Sequence, residues 1–104
     1  MIFIETDIFT EDLKELLTDD EYSKFQQHLA ENPHAGDVIQ KTGGLRKVRW
    51  SAQGKGKCGG VRVIYYYVMP DSQIRLLLIY KKGKQDDLTE AQKKILRQLN
   101  ERWK

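Results

Sequence analysis

Between Leu45 and Tyr80 the chain carries three β-prone runs, "LRKVRWSA", "VRVIYYYV" and "QIRLLLIY", joined only by "QGKGKCGG" and "MPDSQ". Connections this short rule out parallel neighbours, which need a crossover of a dozen or more residues. The three runs therefore predict an antiparallel meander of consecutive strands. Strand alternation then assigns faces. Val48 and Trp50 lie on the side of Arg46, with Lys47 and Arg49 on the other, while Arg62 shares a face with Ile64 and Tyr66.

Helices are expected on either side of this meander. Ile2 to Glu5 is a short β-prone start, and after it Phe9, Leu13, Leu16 and Leu17 follow the i, i+4, i+7, i+8 spacing of an amphipathic helix. Thr18 with Glu21 reads as a capping box opening a second helix, whose Tyr22, Phe25 and Leu29 share a face before Asn32-Pro33 stops it. These two form a helical hairpin. "HAGDVIQKTGGL" has no helical period and reads as a connection. Thr89 and Gln92 make another capping box, after which Ala91, Ile95, Leu99 and Trp103 are predicted to line one face of a C-terminal helix. The expected fold is α+β, in the order β-α-α-β-β-β-α, with the helical hairpin and C-terminal helix packed on a small twisted antiparallel sheet. A chain of 104 residues fits a single domain, residues 1–104.

Charge separates along the sequence. From Lys41 to Arg62 there are seven basic residues (Lys41, Arg46, Lys47, Arg49, Lys55, Lys57 and Arg62) and no acid, whereas residues 1–37 hold ten acids and two lysines, a net of −8. Crowded like charges cost stability, so a patch of this kind points to a polyanionic partner. Nucleic acid is the natural one, because neutralising phosphates releases condensed counterions. Of the tyrosines in the neighbouring strands half should face the core, and Tyr65 and Tyr80 are candidates to stack on unpaired bases. Lys47 and Arg49 either contact RNA or are simply solvated. The acidic hairpin reads first as a solvated surface.

Several chemistries are disfavoured. "GKGKCGG" lacks the Gly-Lys-Ser/Thr ending of a nucleotide-binding loop and joins two strands instead of leading into a helix. There is no His-Glu-x-x-His, no nucleophile elbow, and no acid between Asp37 and Asp71 to hold a magnesium ion, so no metal or other cofactor is expected. Cys58 is the single cysteine; Lys55 and Lys57 would favour its thiolate, but a lone cysteine in a glycine-rich turn reads as incidental. The longest apolar run, Val63 to Pro70, is far short of the roughly 18 residues a membrane span needs, and the acidic "MIFIETDIF" is unlike a signal peptide. A cytoplasmic protein is expected.

The combination "GDVIQ-TGGLRKVRW", "KGKCGGVRVIYYYV" and "LLLIYKKGKQDDLTEAQ", spanning nearly the whole chain, resembles the RelE/ParE superfamily of bacterial toxins and within it the HigB branch of ribosome-dependent messenger-RNA interferases. The resemblance implies a concave basic surface on the sheet and cleavage of mRNA in the ribosomal decoding site. The ribose 2′-hydroxyl would attack the adjacent phosphate, which calls for a base, a stabiliser of phosphorane charge and an acid, without metal. On that reading Lys55 and Lys57 are candidate bases, Arg62 clamps the scissile phosphate, and Lys82 is the leaving-group acid or a second phosphate contact. Arg46, Lys47, Arg49, Tyr65, Tyr80 and Lys84 are then candidates for contacting RNA or ribosome. The resemblance also implies a cognate antitoxin with a helix-turn-helix region, with mRNA and ribosomal RNA as nucleic-acid partners. Two other functions compete: non-nucleolytic inhibition of DNA gyrase, as in the ParE branch, and RNA binding without activity. The lysines of "GKGKCGGVR" beside a strand arginine favour cleavage.

Overall fold

The computed structural model of the chain describes residues 1–51, 60–81, 83 and 88–103. The architecture is α+β. Its elements are β1 (Ile2–Glu5), α1 (Asp7–Leu16), α2 (Asp19–Glu31), β2 (Asp37–Val38), β3 (Arg46–Trp50), β4 (Val61–Val68), β5 (Gln73–Lys81) and α3 (Glu90–Glu101), with a single 3-10 turn at Met69–Asp71 between β4 and β5. The expected meander is present: β3 pairs antiparallel with β4, and β4 with β5. Two features were not expected. Asp37–Val38 forms a short strand against Lys47 and Arg46, and β1 joins the far edge in parallel with β5, giving the order β1-β5-β4-β3-β2.

Helix starts are fixed by side chains that accept the otherwise unpaired first-turn N–H groups. The Thr6 hydroxyl oxygen accepts from Phe9 N at 3.1 Å. Thr18 and Glu21 form the predicted reciprocal box, at 2.8 and 3.1 Å, and Thr89 and Gln92 form the other, at 2.9 and 3.1 Å.

The sheet separates two cores. On one face α1 and α2 pack Phe9, Phe25 and Leu29 against Val48, Val63, Tyr65, Leu76 and Ile79; on the other, Leu96 of α3 and Leu88 pack against Leu45, Ile64 and Leu77. The C-terminal helix does not turn Ile95 and Leu99 to the core. Ile95 and Leu99 are 62% and 42% exposed, whereas Leu96 and Asn100 are 8% and 6% exposed. The reason lies in Arg75 of β5, whose Nη1 donates to both the backbone oxygen (3.1 Å) and Oδ1 (3.0 Å) of Asn100 and whose guanidinium lies 5.4 Å from the Trp103 ring centroid. These contacts turn the Leu96–Asn100 side inward.

The hairpin is tied to the sheet edge through one carboxylate. Glu5 accepts from the Tyr22 hydroxyl at 2.6 Å and from the Thr10 hydroxyl at 2.5 Å. Burial, followed by the hydrogen bond and charge of Glu5, pushes the Tyr22 phenol far above its ordinary range. In the unfolded chain a tyrosine ionises near pH 10. Above that pH the unfolded state binds fewer protons than the native state, so stability must fall as pH rises. The melting temperature is expected to drop more steeply above about pH 10 in the parent than in Tyr22→Phe. Parallel slopes in thermal melts would show that this phenol ionises freely in the folded protein.

Candidate nucleic-acid interface

The β3–β4–β5 register brings three sequence-predicted residues into one row. Arg49 is opposite Arg62, and Arg62 is opposite Tyr80; in the next row Lys47, Ile64 and Leu78 are aligned. Directly opposed like charges on neighbouring strands are destabilising. Yet the ion pairs among the described residues, Asp20–Lys24, Glu90–Lys93 and Arg97–Glu101, all lie on helices. Among the described residues, neither Arg49 nor Arg62 has a carboxylate partner.

Arg62 is the unusual member of the row. It is 9% exposed, and its Nη1 is buried with no hydrogen-bond partner among the described residues. An arginine keeps its charge in a protein, and a buried, unpaired cation carries an unrepaid desolvation cost. Arg75, elsewhere on β5, makes the contrast: its guanidinium is satisfied by Asn100, Gln73, and the Tyr66 and Trp103 rings. Arg75 is thus held by partners within the fold, whereas Arg62 keeps a buried Nη1 with no hydrogen-bond partner among the described residues. Sequence reasoning passed over Arg75, because only its position opposite Tyr66 and beneath α3 shows its purpose.

Two predicted contacts lie elsewhere. Tyr65 is fully buried on the helical-hairpin face, with its hydroxyl donating to Pro33 O at 2.8 Å and accepting from Gly36 N at 2.9 Å. It has no face to offer a base. Burial raises its pKa, an effect opposed by the Gly36 N–H and the Arg46 charge. Arg46 is on that same side, donating from Nη1 to Gly36 O at 2.7 Å and His34 O at 3.3 Å. Together Tyr65 and Arg46 clasp the α2–β2 connection. The signal was available in the residue parity, since Tyr65 alternates with Arg62 along one strand and Arg46 shares a side with Val48. Tyr65→Phe would leave the Gly36 N–H and Pro33 carbonyl unpaired, and is expected to cost about 1–3 kcal/mol in urea unfolding. A midpoint equal to the parent's would show that this hydroxyl does not hold the connection.

Lys55, Lys57, Lys82 and Lys84, with Cys58, lie outside the described residues. The strand ends flanking those segments do converge: Trp50 pairs with Val61, and Val61 with Lys81, one position beyond the Arg49–Arg62–Tyr80 row.

No family model matches the sequence. Solved structures do match. One chain of the intact E. coli RelBE toxin–antitoxin complex superposes with a TM-score of 0.58 at 12% identity, covering 79% of this chain and 96% of that one. The isolated E. coli RelE toxin gives 0.57 at 11% identity over 94% and 97% of the two chains. The fold is RelE-like. A double arginine-to-alanine mutant of E. coli RelE in the free state matches similarly, with a TM-score of 0.57 at 10% identity over 82% and 86%. Within this RelE-like fold, the Arg62 row occupies the middle of the sheet. None of the helices among the described residues is long and apolar enough to cross a membrane.

Proposed function

We propose that the chain is the toxin of a toxin–antitoxin pair, of the HigB-like kind, and that it cleaves mRNA in the ribosomal decoding site. The carrying observation is the unpartnered Nη1 of Arg62, a buried cation set beside Arg49 with no acid among the described residues to neutralise either. The likeness to toxin structures of the same fold and the confinement of seven cations to residues 41–62 support the same reading.

In the reaction the ribose 2′-hydroxyl loses its proton and attacks the adjacent phosphorus. The bond to the 5′-oxygen breaks, leaving a 2′,3′-cyclic phosphate and a 5′-hydroxyl that takes up a proton. Arg62 would hold two non-bridging oxygens as charge builds on the phosphorane, since a planar guanidinium pairs two oxygens at once. Lys55 and Lys57 are the proposed bases, and Lys82 the acid or a second phosphate contact. A lysine can serve as the base only in its neutral form. Tyr80, Lys47, Arg49 and Lys84 would flank the RNA. A cognate antitoxin, with a helix-turn-helix region, would hold the toxin inactive.

Primer extension on mRNA programmed into ribosomes tests the proposal. Cuts at the decoding site by the parent, lost in Arg62→Ala and Lys57→Ala, are expected. No cleavage by folded parent protein would point instead to gyrase inhibition or to RNA binding without activity.

A further inference from the structure

The C-terminal helix is apolar on two sides. Leu96 packs against the sheet, while Ala91, Ile95 and Leu99 form a second stripe, at i, i+4 and i+8, that stands exposed. A surface helix ordinarily carries one such stripe, turned to the core. The charges beside the exposed stripe are not neutralised. Lys94 and Arg102, three residues after Ala91 and Leu99, border it, and neither is in an ion pair among the described residues. Both acids of α3 are engaged elsewhere, Glu90 with Lys93 at 3.6 Å and Glu101 with Arg97 at 3.1 Å.

The first helix carries the opposite pattern. Ile8 is 55% exposed, and Glu11, Asp12 and Glu15 follow it at i+3, i+4 and i+7, the spacing of one helix face. None of the three is in an ion pair among the described residues. Phe9 of α1 faces one core and Leu96 of α3 faces the other, on opposite sides of the sheet. The exposed sides of the two helices therefore cannot meet within one chain.

We propose that the exposed face of α3 is a docking surface for α1 of a second copy of this chain. Ile8 of one copy would pack against Ile95 and Leu99 of the next, with Glu11, Asp12 and Glu15 set against Lys94 and Arg102. Charge and shape together select this occupant. RNA would meet the two cations but leave the aliphatic pair uncovered, since neither side chain offers a ring on which a base could stack. A second α3 would bring no unpaired acid, because Glu90 and Glu101 already have partners. The α1 face supplies three acids around one isoleucine. Two helix faces make a small interface, so the contact is weak and sensitive to salt. It joins two different surfaces and is therefore heterologous. None of the residues assigned to cleavage takes part, and the inference holds whether or not the chain cleaves RNA.

Sedimentation velocity of the full chain over a range of concentrations at low salt tests the proposal. The weight-average mass should rise above the 12.2 kDa of the monomer and return to it as salt is added. Glu11→Lys/Glu15→Lys and Lys94→Glu/Arg102→Glu change exposed positions only, so both should melt near the parent temperature. Each alone should associate at least about tenfold more weakly than the parent. Mixed in equal amounts they should associate again, because the α1 and α3 faces of the two variants are once more of opposite charge. Adding Ile95→Gln/Leu99→Gln to the second variant should weaken that mixed complex. A parent that stays at 12.2 kDa throughout, including one that binds anionic phospholipid vesicles instead, overturns the proposal. So does association undiminished in either variant alone, which would place the contact elsewhere. A mixture that stays monomeric, or one indifferent to the loss of Ile95 and Leu99, overturns it as well.

Discussion

Arg62→Ala is expected to lower single-turnover cleavage of ribosome-bound message by a factor of about 10² or more while the protein remains folded. The two halves of that expectation have different causes. On the proposed function, activity would fall because the side chain would meet charge that develops on phosphate oxygens, so its removal would be felt most in the transition state. Folding survives because the lost guanidinium satisfies nothing in the described structure: its Nη1 is without a partner, so no protein acceptor is orphaned by its removal. Relief of the buried cation offsets the lost packing of the side-chain stem. Arg62→Met keeps much of that stem and should melt close to the parent temperature with the same loss of cleavage. Arg62→Lys keeps the charge without the planar fork, and is expected to fall between the two. A folded Arg62→Ala that cuts message at the parent rate would remove this residue from the phosphate site.

Gly60→Ala is expected to be the most damaging single-methyl change. Gly60 precedes β4 at φ +76°, a conformation that L side chains rarely adopt, and a Cβ there would be driven into the Trp50 carbonyl oxygen with Ser51 Cα only 2.7 Å away. These neighbours are backbone and cannot rotate aside. Left-handed strain and overpacking together are expected to cost about 2–5 kcal/mol, or roughly 10–25 °C in melting temperature for a domain of this size. Gly83 is the control: at φ +88° it meets the same conformational cost, but nothing lies within 4 Å of its Cβ position. Gly83→Ala should therefore lose only about 1–2 kcal/mol. Equal thermal shifts for the two variants would refute the close approach at Gly60.

Local rules predicted the elements well, because their determinants are local. Thr18–Glu21 and Thr89–Gln92 cap helices through partners three residues away, and the alternation of "VRVIYYYV" needs no other strand to be recognised. Misplacements arose where a distant partner decides. Four residues, "IFIE", say nothing about pairing in parallel with β5. Ile95 and Leu96 are both apolar neighbours on one helix, and it is Arg75, reaching Asn100 from β5, that selects Leu96 for burial. At the candidate site, composition drew Tyr65 and Arg46 toward RNA although strand parity placed them beneath the sheet. Arg62 was legible as a strand cation. Its unpartnered Nη1 was not, because an absent partner is visible only in three dimensions.

The parallel pairing of β1 bears on how the molecule is made. Thr6 and Leu77, joined by a hydrogen bond, are 71 positions apart, so β1 must wait for β5, which is synthesised that much later, before it can be docked. At about 5–20 residues per second that delay is several seconds. The meander of β3, β4 and β5 needs only nearby chain and can assemble ahead of it. The basic face would then exist, however briefly, in a newborn chain whose acidic hairpin has not yet been pinned to the sheet edge through Glu5. Any partner able to bind the chain in that interval would meet it before it is complete.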